Sequence, residues 1–174
     1  MSGRLSRPGP QDTRAGDLRV RMPLLDRLLD DAPAERTDPP LSAGQAHADL
    51  LRGVRRDLEA LLNARRPWRS LPEGYEALAR SPLGYGLPDF AAGAFNQQAR
   101  RELLRLEVQD ALTRFERRLS DVRVEMAPTV MTDPTLRLRI HAQLNADPAP
   151  VPVGFEMTAD PRTGDFVVRQ GRDV

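Results

Sequence analysis

Between residues 100 and 128 the apolar side chains of this chain change their period from helical to alternating within a few positions, and that switch constrains the fold more than any other stretch. Leu104, Val108, Ala111, Leu112, Phe115 and Leu119 recur at the spacing of one helix face. Arg101, Glu102, Arg105, Gln109, Asp110, Arg114 and Arg117 fall mainly on the other sides, with Asp110 and Arg114 one turn apart. Val122, Val124 and Met126 then alternate with Arg123 and Glu125, the repeat of a half-buried strand that leaves the helix at once.

The junction reads Phe115-Glu116-Arg117-Arg118-Leu119. At about 100° per residue, Glu116 and Arg118 are expected on opposite flanks of the apolar stripe, with Arg117 pointing away from the core. A fixed acceptor and a planar five-donor fork placed there can grip another chain. The same pattern also describes ordinary solvated charges, and from these residues alone solvation is the favoured reading.

The remaining segments fill out an α+β domain. Residues 1–20 are polar and rich in Arg, Gly and Pro, the composition of a disordered tail. In residues 22–31, Leu24, Leu25, Leu28 and Leu29 form one face of a short helix, which docks either on its own domain or on a partner. Residues 32–40, with Pro33, Pro39 and Pro40, read as a linker, so that 21–40 is a helix and linker and 41–174 the folded domain. Leu50, Val54, Leu58, Leu61 and Leu62 predict a core-facing helix over 48–63, its charges needing no role beyond solvation. Residues 67–93 are broken by Pro and Gly, with a helical turn expected near 73–80. Their aromatics Trp68, Tyr75, Tyr85 and Phe90 should pack across the core, and the run 81–89 reads as a constrained turn. Leu136, Leu138, Ile140, Ala142 and Leu144 give the longest alternating strand. Val151, Val153, Phe155 and Met157 give another, and Phe166 and Val168 a last one. Short connections imply antiparallel neighbours: a sheet of three to four strands covered on one face by two amphipathic helices. Such a sheet has two edges, each a site for strand addition unless covered.

Composition narrows the function. A net charge of +1 in 174 residues argues against a generic nucleic-acid binder. All 26 basic residues are Arg, which suits planar, bidentate protein contacts. With no Cys, disulfides, thiolate catalysis and Cys-based zinc sites are excluded. The only histidines, His47 and His141, have no partners at ligand spacing, and no nucleophile elbow, dinucleotide loop, phosphate loop or marked acid pair is present. No catalytic residue, metal or cofactor is expected. No apolar run approaches the roughly 18 residues of a membrane span, and the first residues lack a signal peptide's apolar stretch, so a cytoplasmic protein without direct membrane insertion is expected. Residue by residue, the chain reads as a small α+β interaction module.

The ordered set LLDRLLDD (24–31), RRDLEALLNARR (55–66), SPLGYGLPDF (81–90), RFERRLSDVRVEM (114–126) and PVGFEM (152–157) resembles the TssE family. These are baseplate subunits of type VI secretion systems, related to the lysozyme-like wedge proteins of contractile phage baseplates. The family's hallmark at the helix–strand junction is Glu-Pro-Arg followed by Leu; Glu116, Arg118 and Leu119 match it, and Arg117 stands in the Pro position. Without the proline, which helps end a helix, the helix is expected to run on by a turn. The resemblance implies a non-enzymatic scaffold that sits with TssF, TssG and TssK and docks residues 116–119 on the TssF–TssG core bundle. It further implies a sheet edge presented to the TssB–TssC sheath, which starts sheath assembly. Leu24, Leu25, Leu28 and Leu29 are a further candidate contact. A phage-tail or other contractile-injection wedge protein and, on the lysozyme-like name, a peptidoglycan hydrolase are the alternatives.

Overall fold

The computed structural model describes residues 25, 28, 42–67, 74–90, 97–128, 135–146, 149–160 and 163–171. The expected tail, linker and Trp68 lie outside the described residues, as do Leu24 and Leu29. Leu25 and Leu28 are helical and stand 53% and 73% exposed.

Helix α1, Ala43–Asn63, starts five residues earlier than its apolar stripe predicts. The cause is a reciprocal cap. Ser42 Oγ accepts from the Gln45 N–H, and the Gln45 side chain accepts from the Ser42 N–H at 3.0 Å. Two orphan donors are thereby satisfied. Ser42→Ala is expected to cost about 1 kcal/mol in urea unfolding and to speed amide exchange in the first turn alone, because that turn is largely exposed. The helix ends at Ala64, whose extended backbone leads straight into β1, Arg65–Arg66.

The segment after β1 holds the expected helical turn, α2 (Glu76–Ala79), and a 3-10 turn at Pro82–Gly84 capped by Ser81. It then forms β2, Leu87–Pro88, which pairs in parallel with β1. That bridge was not foreseen from the sequence; two residues leave no period to read. It delivers Leu87 into the core, fully buried. The aromatics divide rather than packing together: Phe90 packs partly against the core, Tyr85 meets Phe115 edge-on at 5.4 Å, and Tyr75 is exposed.

Helix α3 spans Gln98–Phe115, and β3 (Leu119–Met126), β4 (Arg137–Leu144), β5 (Val151–Ala159) and β6 (Phe166–Gln170) follow as an antiparallel meander in that order. The fold is α+β, as the periods predict, with four strands. Leu138, Ile140, Ala142 and Leu144 face the helices, as do Val153, Phe155 and Met157 of β5 and Phe166 and Val168 of β6. Helix α3 packs on β3 and α1 on β6, so each helix lies along one side of the sheet. Leu119 belongs to β3 and not to the helical stripe. It shares the buried face with Val124 because a bulge between Ser120 and Arg123 inserts one residue, with Asp121 at φ 51°. The extra residue restores the inward parity that an odd spacing would otherwise break.

Candidate functional site

Helix α3 stops at Phe115 rather than running on through Arg117. The Glu116 N–H makes the last helical bond, to the Leu112 carbonyl at 2.9 Å. Glu116 then closes the turn itself. Its carboxylate accepts the Arg118 N–H at 3.1 Å, and its carbonyl accepts the Leu119 N–H at 3.2 Å. From β4's end, Asn145 holds the other side of the turn, donating from its N–H to the Arg118 carbonyl (2.7 Å) and from Nδ2 to the Arg117 carbonyl (3.2 Å). A proline is not needed where side chains supply the stop.

Glu116 and Arg118 do not straddle the apolar face; they grip each other. Arg118 Nε donates to Glu116 Oε1 at 2.7 Å while Nη2 reaches Oε2, a bidentate fork. The same Nη2 donates to Asp57 Oδ2 on α1 at 2.8 Å. Glu116 is 7% exposed and the Arg118 side chain 24%. Arg118 is held charged well above the usual guanidinium range, first by its hydrogen bonds to Glu116, against the opposing cost of burial. Asp57, which α1's pattern assigns to plain solvation, is thus a structural partner that joins the two helices to the turn. Tyr85 stands close by. Burial pushes its phenol upward, and the charges of Asp57 and Glu116 add to that. Neither residue carries a signal in one sequence, since each pairs with a position dozens of residues away.

Of the four junction residues, Leu119 lies in the hydrophobic core and only Arg117 is exposed. Arg117 borders a groove of about 640 Å³ with Arg80, Asp110, Arg114 and Phe115. Within it Arg114 pairs with Asp110 and donates to the Ala79 carbonyl at 3.3 Å. The arrangement suits docking of a protein surface. The two carboxylates nearest the junction, Glu116 and Asp57, are both spanned by the Arg118 guanidinium.

The sheet edges form the second candidate surface. On β3, Val124 turns its N–H to Gln109 Oε1 (3.1 Å) and its carbonyl to Arg105 Nη1 (3.1 Å). On β6, the Asn63 carboxamide takes the Phe166 N–H (2.8 Å) and donates to the Phe166 carbonyl (2.8 Å). Glu59 accepts the Val168 N–H at 3.0 Å, and Arg55 donates to the Val168 carbonyl at 3.4 Å. Helix side chains therefore occupy backbone groups on both edges, a guard against indiscriminate pairing.

A family model described as baseplate wedge protein gp25 matches residues 48–149, more than half of the chain. The matched span runs from α1 through β4 and contains Asp57, Tyr85, the whole junction and Asn145. Nothing among curated proteins or solved structures matches the chain.

Proposed function

This chain belongs to the baseplate wedge protein gp25 family, and on that premise we propose that it is a non-enzymatic structural subunit of a type VI secretion baseplate, in the TssE role. In this reading the junction end of the molecule anchors in the wedge, on the TssF–TssG core bundle with TssK beside it. The sheet meets the first TssB–TssC ring and starts the sheath. Arg117 carries the anchoring half of the proposal. It is an exposed guanidinium, beside a groove, on a turn whose backbone is fixed by Asp57, Glu116, Arg118 and Asn145, so no backbone ordering is left to be met on binding.

The test is a pull-down of the TssF–TssG subcomplex from the same genome with wild type and Arg117→Glu. Because Arg117 makes no side-chain bond that supports the turn, the variant should unfold at the wild-type urea concentration yet bind roughly tenfold or more weakly, as expected for a reversed charge at a docking surface. Wild-type affinity in Arg117→Glu would move the anchor elsewhere, with exposed Leu25 and Leu28 next in line. The family match suits a phage-tail wedge protein equally well; failure of the wild type to bind TssF–TssG, with phage-tail genes as neighbours, would favour that assignment.

A further inference from the structure

The two sheet edges are closed by the same kind of bond but are not equivalent. The β3 edge carries the bulge at Ser120–Arg123, so its outward groups do not form a regular row. Its Val124 cover is also braced: Arg105, besides donating to Val124, is forked onto Glu102 (2.8 Å from Nε) and lies 3.4 Å from Gln109 Oε1. The β6 edge is regular. Its register with β5 is unbroken from Phe166 to Gln170, so Phe166, Val168 and, by alternation, Gln170 turn their backbone groups outward in one row. The cover there is made wholly by α1 side chains, the Asn63 carboxamide, which also donates to the Glu59 carbonyl at 3.0 Å, and an Arg55–Glu59 pair 3.7 Å apart. An amide side chain that both donates to and accepts from a single residue reproduces what a neighbouring strand would supply.

We infer that β6 is the edge that accepts a partner strand, and that Asn63 with Glu59 and Arg55 is a displaceable plug occupying it until that strand arrives. The inference rests on the reading that a sheath subunit adds a strand to this sheet. The exchange replaces four side-chain bonds by four main-chain bonds, so its hydrogen-bond cost is small, while the plug protects the unassembled protein from pairing with itself. The outer face specifies the strand's chemistry. Glu125, Arg139, Glu156 and Arg169 stand directly opposite one another in one row across all four strands, with alternating sign. A fifth strand that continues the alternation presents an acidic side chain opposite Arg169, and apolar side chains at the positions beside Phe166 and Val168. The partner segment is therefore extended, about five residues long to match β6, alternately apolar, and acidic on its outer face.

Proline substitution reads the edge because it deletes an outward N–H; at Val168 and Val124 it also replaces a buried valine, so each variant serves as the other's control for lost packing. Val168→Pro and Val124→Pro remove the matching donor from β6 and β3, respectively. Binding of each folded variant to the TssB–TssC pair is measured against wild type, with folding checked by circular dichroism. Val168→Pro should bind roughly tenfold or more weakly and Val124→Pro like wild type, while Asn63→Ala, which removes the half of the plug on Phe166, should bind several-fold more tightly. Arg169→Glu should bind several-fold more weakly. The reverse result for the two prolines would overturn the assignment to β6 and leave strand addition standing at β3. Equal binding by both prolines and wild type, or no binding at all, would overturn strand addition and this inference with it. Weaker binding by Asn63→Ala would overturn the plug, and an unchanged Arg169→Glu the acidic partner residue.

Discussion

Replacing Arg118 by Ala is expected to lower folding stability by about 3 kcal/mol, near the bottom of the range for breaking a buried ion pair. The low end applies because the Arg118 side chain keeps 24% of its exposure, so water partly screens what is lost. The large part of the cost falls on the residue left behind. Glu116 is 7% exposed and spends both carboxylate oxygens on Arg118; without that fork its charge stays in the protein with only the residue 118 N–H to accept from. Asp57 loses its link to the turn at the same time, so α1 and the junction come uncoupled. Arg118→Lys should recover about half, because an ammonium restores the charge without two parallel N–H bonds. Urea unfolding of the three proteins reads this as a shift in midpoint at constant slope. Equal midpoints for Arg118→Ala and wild type would show that Glu116 is compensated by something other than the fork.

That lock changes how the proposed role of the junction in assembly is to be tested. Glu116→Ala or Arg118→Ala would reduce binding of any partner simply by loosening the turn, α1 and the end of β4 together. Arg117 separates the two effects, since it projects from the same turn without supporting it. The resemblance leads one to expect Pro in this position, and the reason Arg is tolerated is now physical. Proline ends a helix by withdrawing a donor, whereas here the Glu116 carboxylate and carbonyl capture the Arg118 and Leu119 N–H groups and reach the same end. The position is released from its backbone duty and carries an exposed cation instead.

What could be read in the sequence was periodic. The alternation in 136–144 and 151–157 located β4 and β5 and their buried faces, and the apolar stripe at 104–115 located the inward side of α3. Aperiodic features escaped. Ser42 and Gln45 begin α1 through a cap that lies outside its apolar stripe. Leu119 looked helical because its spacing from Phe115 is four, although the chain has already turned into β3. The Asp57–Arg118 contact and the closure of the β6 edge by Asn63 join residues 61 and 103 positions apart, and no local pattern encodes either. The charges flanking the stripe were assigned by helix geometry to two sides of the core; a helix that ends at Phe115 put them in each other's grip.

Gly86→Ala tests the least legible element, the two-residue bridge between β1 and β2, and is expected to cost about 3–5 kcal/mol. Two independent penalties add. Gly86 has φ 100°, a region that an L side chain enters only with strain of about 1–2 kcal/mol. A Cβ there would also stand 2.4 Å from the Ala64 carbonyl oxygen and 2.7 Å from its carbon, both backbone atoms at the end of α1 that cannot rotate aside. The chain must back away from Ala64, which breaks the 2.9 Å bond from the Leu87 N–H to that same oxygen and draws the fully buried Leu87 out of the core between α1 and α3. Gly164 supplies the control. It has φ 76° but nothing within 4 Å of its would-be Cβ, so Gly164→Ala carries the backbone strain alone, about 1 kcal/mol. In thermal melts the difference should appear as a loss of roughly 9–15 °C for the first variant against about 3 °C for the second. Equal losses would mean that the close approach to Ala64 contributes nothing, and that Leu87 keeps its place without the bridge.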